Sequence, residues 1–175
     1  MDTDNNEDIQ NIFKLHNTSN THFFSLNGVN TYARLVDVYD GDTITCIIPI
    51  FNNYYKFHIR LDNLDTCEMK SKNDELKYQA FLARKKVLDI LCENNNLDLH
   101  CCKKDIQTYF TDNNIIVYLE CLNFDKYGRL LANVYKKDDK NKSLSSILID
   151  CHLGFPYSGG TKLNENEQLE KIHII

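Results

Sequence analysis

Five short strand-like runs, with one long amphipathic helix pattern after the third and two more helix patterns after the fifth, predict an α+β chain. An OB-type five-stranded β-barrel carrying three helices is one of several α+β arrangements with that order. At 175 residues the chain amounts to a single domain with enough length to bury a core.

Residues 1–25 are polar and rich in Asn, Asp and Thr, which predicts a flexible acidic lead-in, with the folded domain spanning 26–175. "YARLVDVYDGDTITCIIPI" reads as a strand, a turn at Asp40-Gly41 and a second strand rich in β-branched residues. "YYKFHIRL" alternates as a third strand, with Tyr55, Phe57, Ile59 and Leu61 on one face. Asn73 suits an N-cap, and Asp74 and Glu75 suit the first turn of a helix. Leu76, Ala80, Ala83, Val87 and Leu91 give that helix an apolar stripe. The stretch 94–114 has no clear period, although "LDLHC" has the length of a short extra strand. "IIVYLECL" and "LLANVYK" are two further strands joined through "NFDKYGR". Ser143 predicts the cap of a second helix ended by Gly154 and Pro156, and Asn164 with Glu167 predicts a capping box for a third.

Composition excludes several classes. No apolar run approaches the roughly 20 residues of a membrane helix, and the acidic N-terminus has neither part of a secretory signal. Seven cysteines without a C-x-x-C pair point to a reducing, intracellular compartment rather than a disulfide framework or a zinc site. The net charge of −5 argues against a stoichiometric DNA coat. Asp2, Asp4, Glu7 and Asp8 carry most of it, and the rest of the chain is near −1, which leaves room for an enzyme that turns nucleic acid over.

The chemistry concentrates in "RLDNLDTCEMK", where Asp62, Asp65 and Glu68 crowd beside Arg60 at a strand end. If the first and third strands are neighbours, Asp42 and Asp65 emerge at the same end of the sheet. Two carboxylates and a carbonyl oxygen form a hard site for Ca²⁺ or Mg²⁺, left open to a substrate phosphate. Glu68 is then placed to act as general base, and Arg60 and Arg129 match a phosphoryl group bidentately. Each residue also has an ordinary reading: "DGD" is a turn signal, Arg60 could pair with Asp62, Glu68 could be a solvated charge, and Arg129 could pair with Asp125.

The order "YDGDT", "IRLDNLDTCE", "FDKYGR" resembles the staphylococcal-nuclease (thermonuclease) family from about Thr31 to the C-terminus. The resemblance implies an OB barrel with three helices that cleaves DNA and RNA with Ca²⁺, leaving 3′-phosphates, with Mg²⁺ or Mn²⁺ as possible substitutes. It implies metal binding by Asp42, Asp65 and the Thr66 carbonyl, with Asp40 as a supporting carboxylate behind them. It also implies Glu68 as the proposed base, Arg60 and Arg129 as phosphate-binding arginines, and Lys126 and Tyr127 against the neighbouring phosphate and sugar. "PYSGGTK" resembles a family loop, which makes Tyr157 a stacking residue and Lys162 a phosphate contact.

Three features depart from the family. Cys67 stands where members often have proline, 94–114 is longer than the family connection, and the acidic tail has no counterpart in the secreted bacterial enzyme. The "FDKYGRLL" and "YSGGTK" forms are closer to nuclease-like proteins of large DNA viruses and phages, and abundant Asn, Lys and Ile fit an AT-rich genome. The expectation is a monomeric phosphodiesterase acting on DNA and RNA, single strands favoured. The alternative is a catalytically inactive OB-fold module that binds nucleic acid or protein.

Overall fold

The computed structural model describes residues 4–93 and 95–173. Five strands close a barrel in the order β1-β2-β3-β6-β5, with β1 pairing back onto β5. They are β1 (Asn30–Val38), β2 (Thr43–Ile50), β3 (Asn53–Leu61), β5 (Ile116–Phe124) and β6 (Leu130–Lys136). All contacts between them are antiparallel except β3 with β6. The architecture is α+β with an OB-like barrel.

Alternation explains the closure. Leu35, Ile44, Cys46, Ile48, Ile59, Leu61, Val117, Leu119, Leu130, Ala132 and Val134 point inward and are almost wholly buried. Leu26, four residues before β1, already belongs to this core. Helix α2 (Asp74–Leu91) adds Val87, Leu88 and Leu91 to it. Its N-cap is as expected: Asn73 accepts hydrogen bonds from the N–H groups of Glu75 and Leu76. Helix α4 (Leu144–Asp150) is capped by Ser143, and α5 (Glu165–His173) begins with the reciprocal Asn164–Glu167 hydrogen bonds. Among the described residues, no helix is long and apolar enough to cross a membrane.

The structure corrects four expectations. Asp4–Lys14 within the lead-in form a helix, α1, whose residues Ile9, Ile12 and Phe13 stay exposed. Within 94–114 there is a helix, α3 (Lys103–Asp112), and "LDLHC" is a turn rather than a strand. The Cys102 N–H donates to the Asp105 carboxylate at that helix's start, while Ile106 and Phe110 face the core. The described residues thus hold five helices rather than three. Gly154 does not terminate α4. His152 turns left-handed (φ 56°) and the Leu153 N–H reaches the Leu148 carbonyl, so histidine takes the usual glycine position. Finally, β1 and β3 are not neighbours: β2 lies between them.

Candidate catalytic cleft

Because β2 is antiparallel to β3, the start of β2 lies beside the end of β3, with Thr43 opposite Arg60. That register brings the β1–β2 turn to the strand end carrying the acidic cluster. Asp42 is locked there by its own main chain, whose carbonyl accepts from the Leu61 N–H at 2.9 Å. The turn itself is held by the Asp40 side chain, which accepts from the Asp42 N–H at 3.1 Å.

A two-stranded ribbon that the sequence reading missed completes the site. Its strands are β4 (Leu64–Asp65) and β7 (Phe155–Pro156), with Asp65 opposite Phe155. It carries the loop with Tyr157 and Lys162 onto Asp65. Two glycines permit this close packing. A Cβ on Gly41 would stand 2.6 Å from Ala83 Cβ, and one on Gly154 would stand 2.4 Å from Leu64 Cδ1.

Arg60 is the hub. It is 5% exposed, pairs through Nη1 with Asp42 Oδ1, and donates through Nη2 to Asp65 Oδ1 at 2.8 Å and to the Leu64 carbonyl at 2.9 Å. Asp62 is not its partner, so the ordinary surface-pair reading of Arg60 fails. The other Asp42 oxygen accepts from the N–H and hydroxyl of Thr66, each at 3.1 Å. Lys162 Nζ joins Asp65 (2.8 Å) to Glu68 (3.0 Å). Burial disfavours the charged amine, yet these two carboxylates outweigh it and hold Lys162 above its ordinary value.

Among the described residues, Arg60 and Lys162 are the cations that pair with Asp42, Asp65 and Glu68, and Asp40 lies close enough to feel the Arg60 charge. Burial pushes the Asp40 carboxyl up to about 6; Arg60 lowers it and the neighbouring Glu68 raises it. Among the described residues, no three His, Cys, Asp or Glu side chains are arranged to hold a metal by themselves. The two buried carboxylates of Asp42 and Asp65, converging on one guanidinium, nonetheless form an all-oxygen donor set. Carboxylate oxygens of this kind are the donors that hard divalent ions take.

Beside this cluster opens a cleft of about 550 Å³. Arg60, Arg129, Lys126, Tyr127, Tyr157 and Lys162 all line it. Arg129 also has the local partner that the ordinary reading anticipated, since its Nε donates to Asp125 Oδ2 at 2.7 Å. Asp125 organises the whole "DKYGR" turn, accepting in addition from the N–H groups of Tyr127 and Arg129. Burial acts to raise the Asp125 pKa, but the bonds from Arg129 and Tyr127 prevail and hold it below the usual carboxylate range. Tyr127 stands 72% exposed, with Lys126 and Arg129 over its ring at 5.1 and 5.5 Å. The hydroxyl of half-buried Tyr157 donates to the Gly160 carbonyl. Cys67 is buried beside Leu76, Ala80 and Phe155, and burial pushes its thiol up to about 11.

All eleven anticipated residues thus lie at one end of the barrel. Sequence reasoning missed Asn63, whose positive φ (57°) turns the chain between β3 and β4 and whose carbonyl accepts from the Tyr157 N–H. An asparagine after a strand was the available signal. No protein-family model matches the chain, and no curated protein matches its sequence.

Proposed function

We infer that the chain is a divalent-cation-dependent phosphodiesterase of the staphylococcal-nuclease type, hydrolysing DNA and RNA with little sequence preference. The observation that carries this reading is Arg60, buried between Asp42 and Asp65 at the edge of a cleft lined by a second arginine, two lysines and two tyrosines. Structural ion pairs seldom sit beside an open cleft with such a surplus of phosphate-seeking groups.

Asp42, Asp65 and the Thr66 carbonyl would hold the cation, with Asp40 behind them. When bound, that cation adds positive charge against the phosphate and favours ionisation of water. Arg60 and Arg129 meet the two non-bridging oxygens of a phosphodiester in the cleft, where charge accumulates as phosphorus becomes five-coordinate. Lys162 holds the Glu68 carboxylate at 3.0 Å. A phosphate that draws Lys162 away frees Glu68 to accept a proton from the attacking water. Water oxygen bonds to phosphorus, the bond to the 5′ oxygen breaks, and that oxygen takes up a proton. The products are a 3′-phosphate and a 5′-hydroxyl. Tyr127 and Tyr157 offer ring faces to sugar and base, which gives little sequence preference.

The test is cleavage of plasmid and RNA with Ca²⁺, Mg²⁺ or chelator, comparing wild type with Arg129→Ala and Glu68→Ala. The expected result is divalent-dependent cleavage that falls at least 100-fold in Arg129→Ala, of the order seen on losing one transition-state charge partner. End-labelled products should carry 3′-phosphates. A wild type inert in every divalent ion that still binds single-stranded DNA would make the domain a binding module.

A further inference from the structure

A second and larger cavity, about 900 Å³, opens on the outer face of the barrel where α3 lies against β1. Its walls include Arg34, Lys56, His58 and Lys103, with Asp37 as the single carboxylate and Phe110 as an apolar floor. A chain of net charge −5 has thus gathered three fixed cations around one groove.

The sheet register explains the gathering. Ile47 of β2 pairs with Arg34 on one side and Lys56 on the other, so two cations flank one apolar residue in a single cross-strand row. In the next outward row Thr45 pairs with Asp37 and His58, and the Thr45 hydroxyl lies 3.1 Å from His58 Nδ1. Arg34 is fixed by donating from Nη2 to the Phe110 carbonyl at 3.2 Å, while its buried Nε has no hydrogen-bond partner among the described residues. Lys56 and Lys103 are exposed and make no ion pair among those residues. A buried donor without an acceptor and two unpaired lysines around a groove are the features of an anion site.

The same strand that supplies Lys56 and His58 also supplies Arg60. With a period of two, these three residues lie on one face of β3, and Arg60 lines the candidate catalytic cleft. We propose that this groove is a second nucleic-acid subsite, which binds the phosphates of a single strand running from the cleft along the outer face of β3. The inference rests on the proposed function for its ligand. The continuity of the β3 row favours a strand of nucleic acid over a free nucleotide.

The experiment is fluorescence anisotropy in chelator, with the full chain and end-labelled oligothymidylates, a trinucleotide against a dodecamer. Lys56→Glu and Lys103→Glu change exposed side chains, and circular dichroism checks that each variant folds. Each substitution should weaken the dodecamer by roughly fivefold or more and reduce its logarithmic salt slope by about 0.7, with the trinucleotide little affected. Equal losses for both lengths, or no loss for the dodecamer, would overturn the proposal. So would loss of thymidine triphosphate binding in Lys56→Glu without any length dependence, which assigns the groove to a free nucleotide. The cleavage assay judges catalysis separately: an inert chain that keeps the length-dependent loss leaves the subsite standing, and an active chain without it removes the subsite alone.

Discussion

Strand β3 treats its cations in two ways. At its end, Arg60 is 5% exposed and enclosed by Asp42 and Asp65; four residues earlier, Lys56 is exposed and makes no ion pair among the described residues. Both project from the same face of the same strand. The difference comes from what the rest of the chain delivers to each row. The β1–β2 turn and the β4–β7 ribbon bring carboxylates to Arg60, whereas α3 brings Lys103 to the groove beside Lys56. A guanidinium ordered by buried carboxylates is rigid and positioned for chemistry. A solvated lysine has the adaptability that suits holding a backbone in place.

The largest expected effect tests the enclosed end. Arg60→Met strands two buried carboxylates and should destabilise the fold by about 3–5 kcal/mol, whereas Lys56→Met should stay within about 0.5 kcal/mol. Urea denaturation of both variants measures the contrast, and similar values for the two would abolish it. Next comes Gly41→Ala, which drives a methyl against Ala83 and should cost about 1–3 kcal/mol. In a double-mutant cycle Ala83→Gly should couple favourably with Gly41→Ala, and no coupling would assign the cost to Thr66, whose Cγ2 would stand 2.9 Å from the new methyl.

Calcium should act on one end only. Saturating Ca²⁺ should stabilise the wild type by about 1–3 kcal/mol in thermal denaturation, and Asp65→Asn should lose that gain while Lys56→Met retains it. The smallest effect concerns Asp125, held below the usual carboxylate range by its bonds in the "DKYGR" turn. A lowered folded value means the stabilisation is present above the ordinary carboxylate pKa and disappears as pH falls through the folded one. The stability difference between wild type and Asp125→Asn should therefore be measurable at neutral pH and vanish in strong acid. A difference that persists in acid would assign the turn's order to something other than the carboxylate.

The elements that could be read from the chain were those with a strong local signal. Helix α2 has both a cap and a stripe, β5 and β6 alternate cleanly, and β2 is a run of β-branched residues between turn signals. Helix α3 escaped because its N-cap is a cysteine and only Ile106 and Phe110 of it are fully buried, so neither cap nor period stands out. The β4–β7 ribbon escaped because two residues per strand carry no period at all. Cys67, placed by resemblance where proline is common, turned out to be a buried contact of Leu76, Ala80 and Phe155.

The sequence by itself determined the barrel strands, the principal helix and, through charge crowding at strand ends, Asp42, Asp65, Glu68, Arg60 and Arg129, because strand patterning, capping and charge crowding are local properties of the chain; the other six candidates rested on the resemblance alone. Only the tertiary structure decided who meets whom. It seats Asp42 on Arg60 through β2 rather than β1, draws Lys162 across to Asp65 and Glu68, and sets Arg34, Lys56 and Lys103 around one groove. Strand register and close packing at Gly41 and Gly154 govern those meetings, and both depend on contacts between residues far apart in the chain.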